Sequence, residues 1–320
     1  MIPTAEQVAD ARELLHQYFP PTRLLRAESL EQRSQATVYL KIESDLPTSS
    51  FKPRGALYAL QKNARVRALN GVVASSTGNH GAAVAYAARI ARLPATIFLP
   101  ENPNPVKRAR IVALGAKVIE RGSANETAAS EGAAAFAREH GHYLLDDASD
   151  PLVPAGAATI ASEILDAVPE PDTIFVPMGD TALVRGVASE AKRRHPPVRI
   201  VGVQAEQAPA YTRSWQQGQV VVTETCETIA DGLATRRPLA PNVEAIRELV
   251  DEVCLVSERE MLLAIRALLL DEHIVAEAAG AAATAAFLQN HSPFAGRSVV
   301  LLVTGANLPL EILRLVITEV

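Results

Sequence analysis

Short apolar runs alternate along this chain with alanine-rich stretches that have helical spacing. The runs are apolar at nearly every position, as at residues 71–75 (GVVAS), 95–99 (ATIFL) and 173–176 (TIFV). Continuous apolar character is typical of strands buried on both faces, which occur in parallel sheets covered by helices. The same pattern predicts strands at 117–120, 142–145, 199–203, 252–256 and 299–304, and helices at 79–91, 105–114, 125–139, 158–167, 181–194, 257–271 and 276–288.

Strands that alternate with helices predict an α/β fold with doubly wound, mostly parallel sheets. Asp10 and Ser257 have side chains that cap helix starts, and Pro105 suits a first helical turn. In such sheets, ligands bind beyond the carboxyl ends of the strands, where loops lead into helices. We expect the functional residues in three segments of unusual sequence that follow predicted strands, at residues 75–81, 177–186 and 304–307.

Composition excludes several classes of protein. The 320 residues are 48% hydrophobic, which is enough for the core of about two domains. A net charge of −5 provides no basic surface for nucleic acid, and no apolar run is long enough to span a membrane. Cys226 and Cys254 have neither zinc-site nor disulfide-framework spacing, and no secretory signal is visible. We therefore expect a cytoplasmic protein with no nucleic-acid or membrane partner.

Common sequence motifs of α/β enzymes are missing from the chain. It contains no G-x-G-x-x-G, so a dinucleotide-dependent oxidoreductase lacks its fingerprint. The P-loop, nucleophile-elbow and zinc-protease motifs are missing as well. The seven histidines are scattered, and we predict no metal site.

A lysine beside a small, hydroxyl-rich turn is the first candidate for chemistry. Lys52 lies in the segment 40–56 (LKIESDLPTSSFKPRGA) and opens a predicted helix. Burial of such a lysine disfavours its ammonium form and supplies a nucleophilic amine. The segment 76–81 (STGNHG) ends a strand and opens a helix, so its backbone N–H groups can bind an anion.

These segments resemble those of fold-type II pyridoxal-phosphate enzymes, the family of threonine dehydratases, serine dehydratases and serine racemases. Residues 41–56 are similar to the family's K-x-E-x-x-x-P-T-G-S-F-K-x-R-G-A stretch, with Ser49 in the place of a glycine. Residues 76–80 resemble its S-x-G-N-H loop, and residues 304–307 (TGAN) resemble its S-G-A-N. Smaller similarities, such as residues 228–232 (TIADG), extend the resemblance over nearly the whole chain.

The resemblance implies a cofactor, pyridoxal 5′-phosphate, and a role for each matching residue. Lys52 is implied to bind the cofactor covalently and to act as the catalytic base, and Thr77 takes the position of an acid/base serine in serine racemases. Asn79 is implied to bond the cofactor 3′-oxygen, and Thr304 the pyridine nitrogen. The implied cofactor contacts are Phe51, Lys52, Asn79, Gly179, Asp180, Thr181, Ala182, Leu183, Glu277 and Thr304. The implied substrate contacts are Ser76, Thr77, Gly78, Asn79 and His80.

Residues 177–186 (PMGDTALVRG) depart from the family's phosphate-binding loop. Asp180, Thr181 and Ala182 stand where the family has a run of glycines. A phosphate repels a carboxylate beside it in a low-dielectric site. We therefore expect Asp180 to point away from the phosphate, either as the cap of the next helix or paired with an arginine.

The resemblance implies a large cofactor-binding domain of residues 1–70 and 149–320 and a small mobile domain of residues 71–148. The implied activity is α,β-elimination from a 3-hydroxy amino acid to a 2-oxo acid and ammonia, with serine, threonine, hydroxyaspartate or a phenylserine as substrate. Gln204 and Ala210 replace the cation ligands of some family members, which also predicts no metal. The family further implies a homodimer.

Three other functions stay open at this point. Thr77 keeps a hydroxyl group, so amino-acid racemisation is one alternative. A β-replacement enzyme, which an added thiol would accelerate, is a second alternative on the same fold. The third is a pyridoxal-phosphate-binding protein with a decayed phosphate loop and no turnover.

Overall fold

The computed structural model describes residues 1–66, 68–76, 78–101, 103, 105–121 and 126–318. Its strands are β1 Leu24–Arg26, β2 Thr37–Ile42, β3 Val72–Ser75, β4 Ala95–Leu99, β5 Lys117–Glu120, β6 Tyr143–Leu144, β7 Thr173–Pro177, β8 Arg199–Ala205, β9 Glu252–Val256 and β10 Ser298–Val303. Its α-helices are α1 Ala5–Leu15, α2 Glu28–Ser34, α3 Lys52–Val66, α4 Asn79–Ala91, α5 Pro105–Ala113, α6 Glu126–His140, α7 Val153–Ala167, α8 Ala182–Arg194, α9 Ala210–Gln217, α10 Ala240–Leu249, α11 Glu258–Leu270, α12 Ala278–Gln289 and α13 Leu310–Thr318.

The strands form two sheets, which confirms the predicted α/β fold with mostly parallel strands. The larger sheet has the order β1-β2-β10-β7-β8-β9, and the smaller sheet has the order β5-β4-β3-β6. All neighbours pair in parallel except β1 and β2, which pair antiparallel. Strands β4 and β7 are buried at every residue, and this explains their continuous apolar sequence.

The topology brings the functional segments to the carboxyl ends of neighbouring strands. β3 is followed by residues 76–78 and α4, and β7 is followed by residues 178–181 and α8. β10 ends at Val303, and Thr304 follows it directly. Ser50 forms a bridge with Gly305, which attaches the turn before α3 beside the end of β10. All these segments therefore face the region in which parallel sheets bind ligands.

Close packing at two glycines holds the starts of α3 and α8 in place. Gly156 of α7 lies so near α3 that a Cβ there would overlap the Arg54 carbonyl oxygen. Gly186 of α8 lies so near α7 that a Cβ there would overlap the Pro154 carbonyl oxygen. No side chain fits at either contact, so α7 positions both helices at once.

The helix starts agree with two of the three predicted signals. Ser257 caps α11 with a capping box in which its side chain accepts a backbone N–H. Pro105 is the first residue of α5. The prediction of a cap at Asp10 is wrong, because Thr4 caps α1 and its Oγ1 accepts from Gln7 N at 3.2 Å. Asp10 lies inside this helix.

Six elements have no counterpart in the predicted pattern: β1, α2, β2, α9, α10 and α13. In β2, buried Val38 and Leu40 alternate with half-buried Thr37 and Tyr39, so its first half lacks a continuous apolar run. Helix α7 begins before the predicted residue 158, since proline is well tolerated in its first turn. The pattern therefore missed elements that are not buried on every side.

Candidate active site

A cavity of about 320 Å³ lies where both sheets present the carboxyl ends of their strands. Ser75 and Ser76 line it from the smaller sheet, and Asp180 lines it from the loop after β7. A second space of about 30 Å³ lies against the start of α8. Lys52 lines both spaces and therefore lies at their junction.

Lys52 is the first residue of α3, and its Nζ donates to Asp147 Oδ2. Burial lowers the pKa of the Lys52 amine, but the charge of Asp147 and this hydrogen bond outweigh burial, so the pKa is raised. Burial also acts to raise the pKa of Asp147, but the charges of Lys52 and His80 outweigh it and hold this pKa well below its usual range. Burial does disfavour the Lys52 ammonium, as expected, but the carboxylate of Asp147 beside it reverses the net direction of the pKa, so the expected supply of a neutral amine by burial is wrong.

Asp147 is a residue that the sequence analysis missed. His80 Nε2 donates to the Leu145 carbonyl at 2.9 Å, and His80 Nδ1 lies 3.9 Å from Asp147 Oδ2. Asp146 and Asp147 directly follow the strand predicted at residues 142–145. Polar residues after a strand of a parallel sheet are the signal that would have identified them.

A buried network of charges supports the start of α3. Arg54, two residues after Lys52, pairs with Glu43 at 2.7 Å and with Glu163 at 2.6 Å. Lys41 pairs with Glu163 at 2.5 Å, and no side chain in these pairs is more than 4% exposed. Two cations and two anions balance one another, which a buried ion network requires. Glu43 and Glu163 thereby anchor the helix that carries Lys52.

The start of α4 offers free backbone donors to the larger cavity. The N–H groups of its first three residues donate to no acceptor in the part of the chain that the structure describes. Free N–H groups at the positive end of a helix bind an anion such as a carboxylate. Four predicted substrate contacts line this cavity: Ser76, Gly78, Asn79 and His80. Thr77, the predicted acid/base residue, lies outside the described residues.

Asn79 is held by two side chains from the C-terminal part of the chain. Its Nδ2 donates to Glu277 Oε1 at 2.5 Å, and its Oδ1 accepts from Asn307 Nδ2 at 2.6 Å. Asn307 Oδ1 accepts in turn from Arg110 of α5. Burial raises the pKa of Glu277 against the opposing effect of its hydrogen bond with Asn79. These contacts fix the orientation of the Asn79 amide.

The loop after β7 forms a second set of free backbone donors. The N–H groups of residues 179–184 donate to no acceptor among the described residues. Gly179 lies so near Gly232 that a Cβ there would overlap the Gly232 carbonyl oxygen. Thr181 has a φ of 69°, in the left-handed region that favours glycine. The free N–H groups at the start of α8 form a cradle that suits a phosphate.

Asp180 lines both spaces and is paired with a hydroxyl group. Its Oδ1 accepts from Thr235 Oγ1 at 3.0 Å, and it forms no ion pair with a residue that the structure describes. Thr181 occupies the cap position of α8. The expectations that Asp180 caps α8 or pairs with an arginine are therefore both wrong. Burial and the charge of Asp147 raise the pKa of Asp180 to about 7, so protonation weakens its repulsion of an anion near neutral pH.

The smaller space is lined by all the predicted cofactor contacts: Phe51, Lys52, Asn79, Gly179, Asp180, Thr181, Ala182, Leu183, Glu277 and Thr304. Thr304 is 4% exposed, and its Oγ1 donates to the Ala279 carbonyl at 3.4 Å. The Phe51 ring centre lies 5.2 Å from Lys52 Nζ. An amine, a phosphate cradle and a buried hydroxyl match the aldehyde, phosphate and pyridine nitrogen of pyridoxal phosphate. The residues therefore fit this cofactor.

The fold and the site define a fold-type II enzyme that depends on pyridoxal phosphate, and comparison with known proteins agrees. Residues 15–305 match the family described as pyridoxal-phosphate dependent enzyme, and the chain belongs to this family. The predicted cofactor and fold class are therefore confirmed.

The most similar proteins include ammonia-lyases and a racemase. The chain is 35% identical over 310 residues to L-threonine ammonia-lyase of Geobacter sulfurreducens. This alignment covers 97% of the chain and 77% of that protein. The chain is 32% identical over 311 residues to L-threo-3-hydroxyaspartate ammonia-lyase of Saccharomyces cerevisiae. This alignment covers 97% of the chain and 95% of that protein. The structure of maize serine racemase superposes with a TM-score of 0.90 at 28% identity, and covers 98% of this chain and 96% of that one. The prediction of a pyridoxal-phosphate-dependent lyase is confirmed.

Two further observations on the structure concern membranes and metals. None of the helices within the described ranges is long and apolar enough to cross a membrane. Among the same residues, no three histidine, cysteine or acidic side chains are grouped as metal ligands would be. Gln204 Oε1, at a position of cation ligands in some family members, accepts from Thr212 N at 2.9 Å.

Proposed function

We propose that this enzyme converts L-serine or L-threonine to a 2-oxo acid and ammonia by α,β-elimination. The observation that carries the proposal is the convergence of Lys52 and two sets of free backbone donors on one site. One set suits the carboxylate of an amino acid, and the other suits the phosphate of the cofactor. The ammonia-lyases among the similar proteins support the same reaction.

The substrate carboxylate is proposed to bind at the start of α4, where Asn79 and His80 line the cavity. Lys52 then acts as the general base and accepts the α-proton at Nζ. Asp147 stabilises the ammonium that forms, because its carboxylate is hydrogen-bonded to the same atom. The Cβ–O bond breaks, the hydroxyl group accepts the proton held at Lys52 Nζ and leaves as water, and hydrolysis of the remaining enamine yields the 2-oxo acid and ammonia.

The bound cofactor supplies an electron sink for the pair of electrons left on Cα. Lys52 would hold its aldehyde carbon, Asn79 its 3′-oxygen and residues 179–184 its phosphate. Thr304 would bond the pyridine nitrogen through a neutral hydroxyl group. A hydroxyl group cannot protonate the nitrogen as a carboxylic acid does, and this favours prompt loss of the β-substituent over a long-lived carbanion.

The charges around the larger cavity favour a substrate with a neutral side chain. Its described lining carries five carboxyl groups, from Asp146, Asp147, Asp180, Asp231 and Glu277. The two lysines there are already paired, Lys52 with Asp147 and Lys107 with Asp231. A second carboxylate on the substrate would meet the charge of Asp146 and the ionised fraction of Asp180 and Glu277, for which the lining offers no unpaired lysine. We therefore place serine and threonine ahead of hydroxyaspartate.

We further propose that residues 71–148 move as a small domain against residues 1–70 and 149–320. All strands of the smaller sheet lie in the first range, and all strands of the larger sheet lie in the second. Side chains of α5 reach across, since Lys107 pairs with Asp231 and Arg110 NH2 donates to Ser49 Oγ at 3.2 Å. We also propose a homodimer, on the family resemblance alone, and a cytoplasmic location, on the sequence pattern alone. Light scattering tests the dimer.

The proposal is tested by assaying the purified enzyme with L-serine, L-threonine and L-threo-3-hydroxyaspartate. The 2-oxo acid, the enantiomer of each substrate and the product of an added thiol are measured in parallel. We expect 2-oxo acid from serine or threonine and a visible absorption band of lysine-bound cofactor. Lys52→Ala should lose both the band and the activity. The matched control is Lys62→Ala on the same helix, whose side chain is 36% exposed and lies outside the cavity.

Other products would identify the alternatives. The enantiomer as the main product would make the protein a racemase, in line with its similarity to maize serine racemase. A thiol adduct formed faster than the 2-oxo acid would indicate β-replacement. A normal absorption band without any product would contradict catalysis and favour a binding protein.

A further inference from the structure

Arg185 is a buried arginine to which the proposed reaction assigns no role. It is the fourth residue of α8 and is 0% exposed. Its hydrogen-bond acceptors are all neutral: Thr181 Oγ1 at 3.1 Å, the Met1 carbonyl at 3.0 Å and the Ala148 carbonyl at 3.2 Å. It forms no ion pair with any carboxylate that the structure describes. A buried charge without a partner is costly, so this position needs an explanation.

Arg54 shows how the same chain stabilises a buried guanidinium that has a structural role. Burial acts to lower the pKa of Arg54, but the charges of Glu43 and Glu163 outweigh burial and raise it. Burial prevails at Arg185, and its pKa is lowered. The two arginines are equally buried, and only Arg54 has carboxylates in contact.

The carboxylates nearest to Arg185 do not compensate its charge. Asp147 is paired with Lys52. Asp180 has a pKa that burial and the charge of Asp147 raise to about 7, so it is only partly ionised near neutral pH. Both attract Arg185 at longer range, and this attraction is smaller than the effect of burial. No carboxylate among the described residues therefore supplies the missing counter-charge of Arg185.

Arg185 lies beside the place where such a group would bind. Its Nε donates to the side chain of Thr181, which belongs to the loop of free N–H groups at residues 179–184. The same Thr181 has a φ of 69°, in the left-handed region that favours glycine, so the hydrogen bond joins Arg185 to a strained residue of the loop. A phosphate dianion in the loop would bind the free N–H groups and have the positive charge of Arg185 behind the loop, since Arg185 contacts Thr181 without lining either space.

We propose that Arg185 is the counter-charge of the cofactor phosphate and a positioning residue for the loop that binds it. It offsets the repulsion from Asp180, the carboxyl group that this loop has in place of a glycine. The loop keeps its shape through the hydrogen bond between Arg185 and Thr181. The inference rests on the cofactor site and is independent of the substrate proposed above.

The test compares pyridoxal 5′-phosphate with pyridoxal, which has the same ring and aldehyde but lacks the phosphate. Both are titrated into full-length wild type, Arg185→Met and Arg185→Gln after removal of the cofactor. Each variant should bind pyridoxal phosphate about 10- to 100-fold more weakly than wild type, and pyridoxal within about threefold of wild type. Lys192→Met removes a charge near the other end of α8 and should change neither affinity.

Thermal unfolding provides a second readout of the same inference. Without cofactor, Arg185→Met should unfold at the wild-type temperature or above it, because an uncompensated buried charge is gone. Pyridoxal phosphate should then raise its midpoint less than it raises that of wild type. Arg185→Gln keeps donors for the Met1 and Ala148 carbonyls and gives the binding result if Arg185→Met does not fold.

Three results would overturn the inference. The first is an equal loss of affinity for both ligands, which would make Arg185 a general structural residue. The second is an unchanged affinity for pyridoxal phosphate in both variants. The third is failure of both variants to fold even with cofactor present. Binding is measured without any amino acid, so these results are independent of whether dehydration is observed.

Discussion

Replacement of Glu163 by glutamine tests the buried network of charges beneath Lys52. Glu163 accepts from Arg54 at 2.6 and 2.8 Å and from Lys41 at 2.5 Å. Glutamine has nearly the same volume, so the substitution removes the charge and preserves the packing. It leaves two buried cations with a single anion, Glu43.

The expected loss follows from the burial of the charges that remain. Removal of one partner from a buried ion pair costs about 3–5 kcal/mol, because the other charge is left uncompensated. Lys41 and Arg54 are each 1% exposed at the side chain, so we expect a loss in the free energy of unfolding of about 3–5 kcal/mol. The thermal midpoint falls by roughly 2–4 °C per kcal/mol in domains of 150–250 residues.

The pH dependence gives an independent check on this prediction. Burial acts to raise the pKa of Glu163, but Arg54 and Lys41 outweigh it and lower this pKa below its ordinary value of 4.5. The stabilisation by Glu163 is therefore present above pH 4.5 and is lost as the pH falls through the lower folded pKa. Glu163→Gln should lack this acid-dependent part of the unfolding free energy.

The assay is urea or thermal unfolding of the full-length protein, followed by circular dichroism. Glu252→Gln is the matched control, since Glu252 pairs with Arg199 on the surface and both side chains are at least 50% exposed. An exposed pair of this kind contributes about 0–1 kcal/mol. A loss from Glu163→Gln below about 1 kcal/mol, or equal losses from the two substitutions, would refute the reasoning.

Two further predictions concern the phosphate loop. Gly179→Ala should destabilise the protein by about 1–3 kcal/mol and weaken cofactor binding, because its Cβ would overlap the Gly232 backbone. Gly202→Ala is the control, because the atom nearest to its Cβ would belong to the flexible Met178 side chain, at 3.3 Å. If both substitutions weakened cofactor binding equally in a titration, the predicted effect of Gly179→Ala would be contradicted. For Asp180, the folded pKa of about 7 exceeds the ordinary 3.8, so the stability of the cofactor-free protein falls as the pH rises between these values. The stability of Asp180→Asn relative to wild type should therefore increase as the pH rises from about 5 to about 8. A difference in thermal midpoint that does not change with pH would argue against the raised pKa of Asp180.

Local sequence signals were sufficient to locate most of the candidate site. Lys52, residues 78–80 and residues 179–183 each lie where a loop leads into a helix, and Thr304 directly follows a strand. The chain itself places such residues at the carboxyl end of the preceding strand. The roles of these residues are not tested by their positions and stay predictions.

Partners distant in sequence could not be predicted in the same way. Asp147 lies next to Lys52 because β6 and α3 meet at the cavity, and this contact reverses the expected direction of the lysine pKa. Arg185 has the sequence surroundings of an ordinary helical arginine, yet it is completely buried. The position of Asp147 after a predicted strand indicates that it lies near the site, but no neighbouring residue indicates its pairing with Lys52 or the burial of Arg185.

The sequence by itself determined the α/β class and the parallel strands, and it located the segments at the starts of α3, α4 and α8 that line the cavity. These properties depend on hydrophobic period and on backbone groups within a few residues of one another. Only the tertiary structure decided which charges are compensated, as at Arg54, and which are not, as at Arg185. The physical reason is that the free energy of a buried charge depends on the groups packed around it in space, and those groups come from distant parts of the chain.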